Sequence, residues 1–252
     1  MTHAPTIRRL FALEHAFRPR PPMPIDLPRR CRPGPGQITL ITGPSGGGKS
    51  SLLAAIRQTQ NDGAMLWIEP SQIRLPDAPV IDCVCGVLGE DGMAIERALE
   101  LLGRVGLAEA WTYLQRPSEL SDGQRWRLML AMAVATAQQM RTSVTTIIAM
   151  DEFAALLDRI TARVVARALR RLVRPAHFVA ATPASPEGPL SREEATQASQ
   201  LQVHSLAAIV ATSHDDLVDA LLPDMTVLCD FDSYSVTQRL GSLGVPGEGI
   251  RG

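Results

Sequence analysis

Gly43-Pro44-Ser45-Gly46-Gly47-Gly48-Lys49-Ser50 ends a glycine-rich run on an ammonium and a hydroxyl, and it fits the pattern G-x-x-x-x-G-K-[ST] letter for letter. The chemistry implied is recognition of a polyphosphate. Glycines let consecutive backbone N–H groups turn toward one anion, Lys49 reaches the β/γ-phosphates, and Ser50, followed by Ser51, offers a hydroxyl to a divalent cation. Lys49 is also the only lysine in 252 residues, all other basic positions being arginine. A chain that keeps one compact, flexible ammonium here needs a point charge rather than a planar guanidinium.

A second chemical cluster lies downstream. Val144-Thr145-Thr146-Ile147-Ile148-Ala149-Met150 reads as a buried parallel strand, and Asp151-Glu152 follow it directly. As an isolated pair these carboxylates would equally suit the N-terminus of the following helix. Beside a phosphate loop the chemical use prevails, because open α/β sheets bind ligands at the carboxyl ends of their strands. Asp151 is then the magnesium ligand and Glu152 the general base that polarises an attacking water.

The elements required to position these groups are legible. Ile38-Thr39-Leu40-Ile41-Thr42 is a β-branched and apolar run before the loop, and Ser51 to Ile56 is helix-forming after it. Strand, loop and helix N-terminus therefore follow in the order that phosphate binding requires. The expected fold is α/β: a mostly parallel sheet flanked by helices, with a small helical subdomain. Its boundaries are a core at about 17–76 and 125–238, the helical subdomain at 77–124, an inserted exposed loop at 175–204 and a flexible tail at 239–252.

Composition narrows the partners. A hydrophobic fraction of 45% is that of a globular protein, and a formal net charge of −1 gives no bulk attraction to nucleic acid or anionic membranes. Arg8, Arg9, Arg18, Arg20, Arg29, Arg30 and Arg32 crowd the start among prolines and read as a solvated arm. Cys31, Cys83, Cys85 and Cys229 lack zinc-ligand spacing and read as reduced thiols of a cytoplasmic protein. No run of about eighteen apolar residues could cross a membrane.

Leu120-Ser121-Asp122-Gly123-Gln124-Arg125, followed by a long helical run, resembles the L-S-G-G-Q signature of the ATP-binding cassette (ABC) ATPases, with Asp122 the one departure. Further motifs of that family follow in order. Asp151-Glu152-Phe153-Ala154-Ala155-Leu156-Leu157-Asp158 resembles D-E-P-T-S-A-L-D, although the proline, threonine and serine are missing. Thr212-Ser213-His214-Asp215, after an apolar strand, resembles the histidine loop, and Met65 to Gln72 resembles a strand running into the glutamine loop.

The resemblance implies ATP and Mg²⁺ as cofactors and assigns roles by position. His214 would contact the γ-phosphate, Gln72 would report magnesium and γ-phosphate to the helical subdomain, and Asp158 would couple two sites. Ser121, Gly123 and Gln124 would complete the site of an opposite subunit. Phe17 stands roughly where the family's adenine-stacking aromatic lies, with Phe11 the competing choice. The interval between Lys49 and Gln72 leaves no room for the antiparallel arm usual in transporter cassettes.

Three functions fit: a soluble ATPase working as a head-to-tail dimer with composite sites, the energy-coupling subunit of a transporter with a separate transmembrane partner, and an ATP-gated binding module with little turnover. Retention of both Asp151 and Glu152 argues against the third. The helix from Arg159 to Arg174 carries a basic stripe at Arg159, Arg163, Arg167, Arg170, Arg171 and Arg174, read as a solvated face rather than a nucleic-acid contact.

Overall fold

Strands that are apolar at successive positions, without alternation, are covered on both faces. The computed structural model, which describes residues 21–59, 65–89, 92–140, 144–174 and 206–239, bears this out. A six-stranded sheet contains β1 (Ile38–Thr42), β2 (Met65–Ile68), β3 (Thr145–Met150), β4 (Leu206–Ala211), β5 (Met225–Cys229) and β6 (Tyr234–Gln238). Its order is β2-β3-β4-β1-β5-β6, parallel except for β6, which pairs antiparallel with β5. This is the mixed α/β architecture that the sequence implied. Phe17, the 175–204 insertion and the tail from 240 onward lie outside the described residues.

Side chains of alternate parity fill two cores. Ile38, Leu40, Ile148, Met150, Ala208 and Val210 face one way, packing with helices α6 (Asp122–Gln139) and α7 (Arg159–Val173). Ile41, Ile147, Ala149, Ala207, Ile209 and Val227 face the other, packing with α1 (Leu27–Arg30) and α2 (Lys49–Gln58). Between β2 and α6 the chain forms α3 (Val80–Leu88), α4 (Ala94–Arg104) and α5 (Ala110–Leu114), the small helical unit. A short α8 (Val218–Leu221) precedes β5.

The strand order creates the ligand-binding edge. From β1 the chain crosses to the far strand β2, then returns through β3 and β4, and passes over β1 to reach β5. The connections that leave the neighbouring strands β1 and β4 run in opposite directions, toward β2 and toward β5, so the switch point lies between these two strands, and the crevice beyond their carboxyl ends is where ligands bind in such sheets. Loops after β1, β3, β4 and β5 all emerge at that edge.

Five of the six arginines in the basic stripe are exposed, as a solvated face requires, and Arg170 departs from that expectation. Arg170 is only 13% exposed and forms a two-pronged pair with Asp224, at 2.7 and 3.3 Å. Asp224 also accepts the Ile38 N–H at 2.9 Å, so one carboxylate ties the starts of β1 and β5 to α7. Burial works to raise the Asp224 pKa, but hydrogen bonds from Arg170 and the Ile38 amide, with the Arg170 charge, carry it below the usual value.

A carboxylate with a depressed folded-state pKa contributes stability above its unfolded value, and that contribution is lost as pH falls through the folded value. Asp224→Asn should therefore destabilise the protein by about 2 kcal/mol at neutral pH, the scale of hydrogen bonds to charged groups. Its deficit should shrink as pH falls below about 4. Urea unfolding of both proteins from pH 7 to pH 3 measures this, and a deficit that stays constant contradicts it.

Candidate active site

The phosphate loop is held from behind by a backbone carbonyl. A Cβ on Gly43, whose φ is 136°, would lie 2.0 Å from the Cys229 oxygen, and one on Gly47 would lie 2.5 Å from it. Only glycine fits at either place. The loop passes into α2 through Gly48, which caps the helix with φ at 86°. Lys49 curls over the loop, its ammonium donating to the Gly43 and Pro44 carbonyls, both at 2.9 Å. Two of its three donors thus go to the loop itself.

These residues open onto a cleft of about 500 Å³. Ser45, Gly46, Gly48, Lys49, Ser50 and Ser51 line it from the loop and the first turn of α2, while Pro44 and the buried Gly47 lie outside its lining. From the end of β3 come Asp151, Glu152 and Ala155. From the end of β4 come Thr212, Ser213 and His214. The sequence-predicted Lys49, Ser50, Asp151, Glu152 and His214 therefore share one cleft, although they lie on three separate loops.

Thr212 holds the latter two loops in register, a role not read from the sequence. It is 1% exposed; its hydroxyl donates to the Phe153 carbonyl at 3.2 Å and accepts the His214 N–H at 3.2 Å. Its own N–H donates to Ile41 on β1 at 3.0 Å, and the Phe153 N–H donates to Ala211 on β4 at 2.9 Å. A threonine ending an apolar run looks like one more strand residue. Its strand-end position is the signal that could have marked it.

Other predicted residues stand apart from the cleft. Gln72, in a 3₁₀ turn after β2, donates its side-chain amide to Glu69. Glu69 in turn accepts from Arg57 of α2 at 2.8 Å and from the Trp67 indole at 2.7 Å. Ser121 and Gln124 cap α6 reciprocally, each side chain accepting the other's backbone N–H, at 3.2 and 3.0 Å. Asp122, in the first turn, pairs with Arg125 at 3.0 Å. Gly123 abuts the loop after β3: a Cβ there would lie 3.0 Å from a Leu157 methyl. Asp158 caps α7, accepting the Ile160 and Thr161 N–H groups at 3.0 Å, and its pKa is held down by the Thr161 hydroxyl and these amides.

The donor set fits a magnesium-bound polyphosphate. Backbone amides and an ammonium suit the phosphates, and the Cys229 carbonyl behind Gly43 and Gly47 holds the loop in the path that presents them. The Ser50 hydroxyl and the Asp151 carboxylate supply hard oxygens of the kind Mg²⁺ takes, alongside phosphate oxygens and water.

Fold and loop together define a P-loop nucleotide-binding domain. Comparison with known proteins makes the class specific. Residues 32–142 match the family model described as "ABC transporter", a match that ends before Asp151. The chain is 32% identical over 168 residues to the lipoprotein-releasing system ATP-binding protein LolD of Rhodopseudomonas palustris (strain BisB5), covering 55% of this chain and 68% of that protein. It is 29% identical to the phosphonates import ATP-binding protein PhnC of Lactiplantibacillus plantarum, covering 56% and 65%. Among solved structures, the dimeric bacterial ABC transporter cassette MJ0796 superposes with a TM-score of 0.51 at 18% identity, covering 82% of this chain and 87% of that one. The chain belongs to the ABC transporter family of ATP-binding proteins.

Thr212→Val keeps the shape but leaves the Phe153 carbonyl and the His214 amide without their partner. It should cost about 1–3 kcal/mol, the penalty for an unsatisfied buried polar group. Chemical denaturation reads this, and a loss under 0.5 kcal/mol would show that the hydroxyl does not hold the two loops.

Proposed function

We propose that this chain binds ATP with magnesium in the cleft beyond β1 and hydrolyses it. The observation that carries the proposal is the convergence of the phosphate loop, Asp151, Glu152 and His214 on one cleft. Lys49 and the loop amides bind the phosphates. Ser50 and Asp151 hold the cation, which when bound neutralises charge on the phosphate oxygens. Glu152 takes a proton from the attacking water, and His214 holds the γ-phosphate end.

A single chain leaves the cleft incomplete on this reading. Ser121, Gly123 and Gln124 stand at the start of α6, outside the cleft lining, where a head-to-tail second copy would bring them to the first copy's γ-phosphate. Gln72, bonded to Glu69 in the turn after β2, would act as the sensor by exchanging that bond for the bound nucleotide and cation. Asp158 sits on the loop joining Glu152 to α7 and links hydrolysis to the dimer contact.

The effector is best read as a transmembrane partner. The relatives are the ATP-binding proteins of a lipoprotein-releasing system and of phosphonate import, and α5 in the helical unit exposes Trp111 (74%) and Leu114 (66%), large apolar side chains one turn apart that suit a protein contact. Among the described residues no helix is long and apolar enough to cross a membrane. A soluble role as a cassette dimer is the other reading.

Glu152→Gln should bind ATP as the parent does, slow hydrolysis by about 10²–10⁴-fold and accumulate an ATP-bound dimer. Phosphate release and gel filtration with ATP check both parts; unchanged turnover would remove Glu152 from the chemistry. The same trapped variant, retained on membranes from its own cells with ATP and released without it, would identify the partner as a membrane protein. Lys49→Arg should lose ATP affinity despite its retained charge, because a wide guanidinium cannot enter the loop; parent-like affinity and turnover in that variant would contradict the reason given for a lysine there.

A further inference from the structure

The β5–β6 hairpin turn, Asp230 to Ser233, carries a half-exposed phenylalanine against the phosphate loop. Phe231 is 54% exposed, and its ring carbon Cε1 lies 3.7 Å from where a Cβ of Gly46 would stand. Gly46 lines the cleft whereas Phe231 lies just beyond its lining. The turn is ordered: the Asp230 N–H donates to the Ser233 carbonyl at 2.9 Å, and the Phe231 N–H donates to the Asp230 carboxylate at 2.7 Å. Its approach to the loop is set by the Cys229 carbonyl that backs Gly43 and Gly47. A large apolar ring kept out of either core, on a hairpin fixed against a phosphate loop, is a platform lacking its cover.

We propose that Phe231 is the platform on which the nucleobase of the bound nucleotide stacks. The proposal rests on the reading of the cleft as an ATP site and adds the polarity of the ligand. Asp151, Glu152 and His214 reach the cleft from β3 and β4, on one side of β1. Phe231 approaches from β5, on the other side. A triphosphate whose terminal phosphate meets Glu152 and His214 runs its nucleoside away from them, toward the β5 side. The occupant of Phe231 is therefore the base. Charge agrees, because the exposed Asp230 and Asp232 flank the ring, and their carboxylates disfavour a phosphate there while tolerating a neutral purine.

The test separates base from phosphate binding. Affinities of Mg²⁺·ATP and of Mg²⁺·tripolyphosphate are measured for the parent chain, Phe231→Ala, Phe231→Tyr and Phe17→Ala. Loss of a base–aromatic stack should weaken ATP about tenfold in Phe231→Ala, leave tripolyphosphate unchanged, and be restored by Phe231→Tyr. Tripolyphosphate binding also shows that the variant is folded. ATP affinity in Phe231→Ala equal to the parent's, an equal loss for both ligands, or a loss that follows Phe17→Ala instead would each overturn the proposal. A parent chain that binds neither ligand would overturn the reading of the cleft itself, an outcome distinct from those three.

Discussion

The contact on which the rest depends is the approach of one carbonyl, that of Cys229 at the end of β5, to the back of the phosphate loop. It allows no side chain at Gly43 or Gly47, and so it fixes the path of the loop between β1 and α2. The contact is only as firm as β5, and β5 is anchored at its other end by Asp224, which joins it to Ile38 and to Arg170 of α7. Along its length β5 pairs with β1 from Thr39 to Thr42. Loop geometry is thus inherited from a strand far away in sequence. The core beneath the contact stays apolar in effect: Cys31 and Cys229 are both fully buried, and burial pushes the Cys31 thiol up to about 12, so it remains neutral.

From that fixed edge a line of contacts leads to the helical unit. Thr212 joins β1 to Phe153 through backbone and hydroxyl. The Phe153 ring, fully buried, meets Trp126 of α6 edge to face, with centroids 5.3 Å apart and planes at 76°. Arg127, one residue on, donates to the Gly123 and Gly106 carbonyls, and burial lowers its pKa without removing its charge. A continuous set of packed and hydrogen-bonded groups thus runs from the loop carrying Glu152 to the start of α6, where Ser121 and Gly123 stand.

What the sequence disclosed, and what it withheld, follows from the range of each interaction. The strand-loop-helix unit around Lys49 was readable because all its parts are adjacent and glycine has few other uses in that spacing. The strand ending at Asp151-Glu152 was readable because a parallel strand covered on both faces is apolar at every step. Thr212, Asp224 and Phe231 were not, since their work is done against residues brought near only by the strand order. Arg170 shows the same limit in reverse: five of the six arginines in its stripe do point outward, and nothing local distinguishes the one that turns in to meet Asp224. For Gly123 and Ser121 the sequence pattern has an in-chain cause as well, because the capping box and the Leu157 contact would favour those residue types even without a second subunit.

The backbone after β3 carries strain at two residues. Glu152 and Ala154 adopt φ values of 52° and 62°, in the left-handed region that non-glycine residues avoid at a cost of about 1–3 kcal/mol each. Between them Phe153 is locked three ways: its N–H to Ala211, its carbonyl to Thr212, and its ring in the core against Trp126. Locking the middle residue dictates the conformation of both neighbours. Glu152 is thereby turned into the cleft while its N–H folds back onto the Asp151 carboxylate at 3.0 Å. In this loop, which lacks the proline, threonine and serine of the pattern it resembles, the restraint is an aromatic anchor with two backbone hydrogen bonds, and it holds both carboxylates at the cleft edge of the sheet.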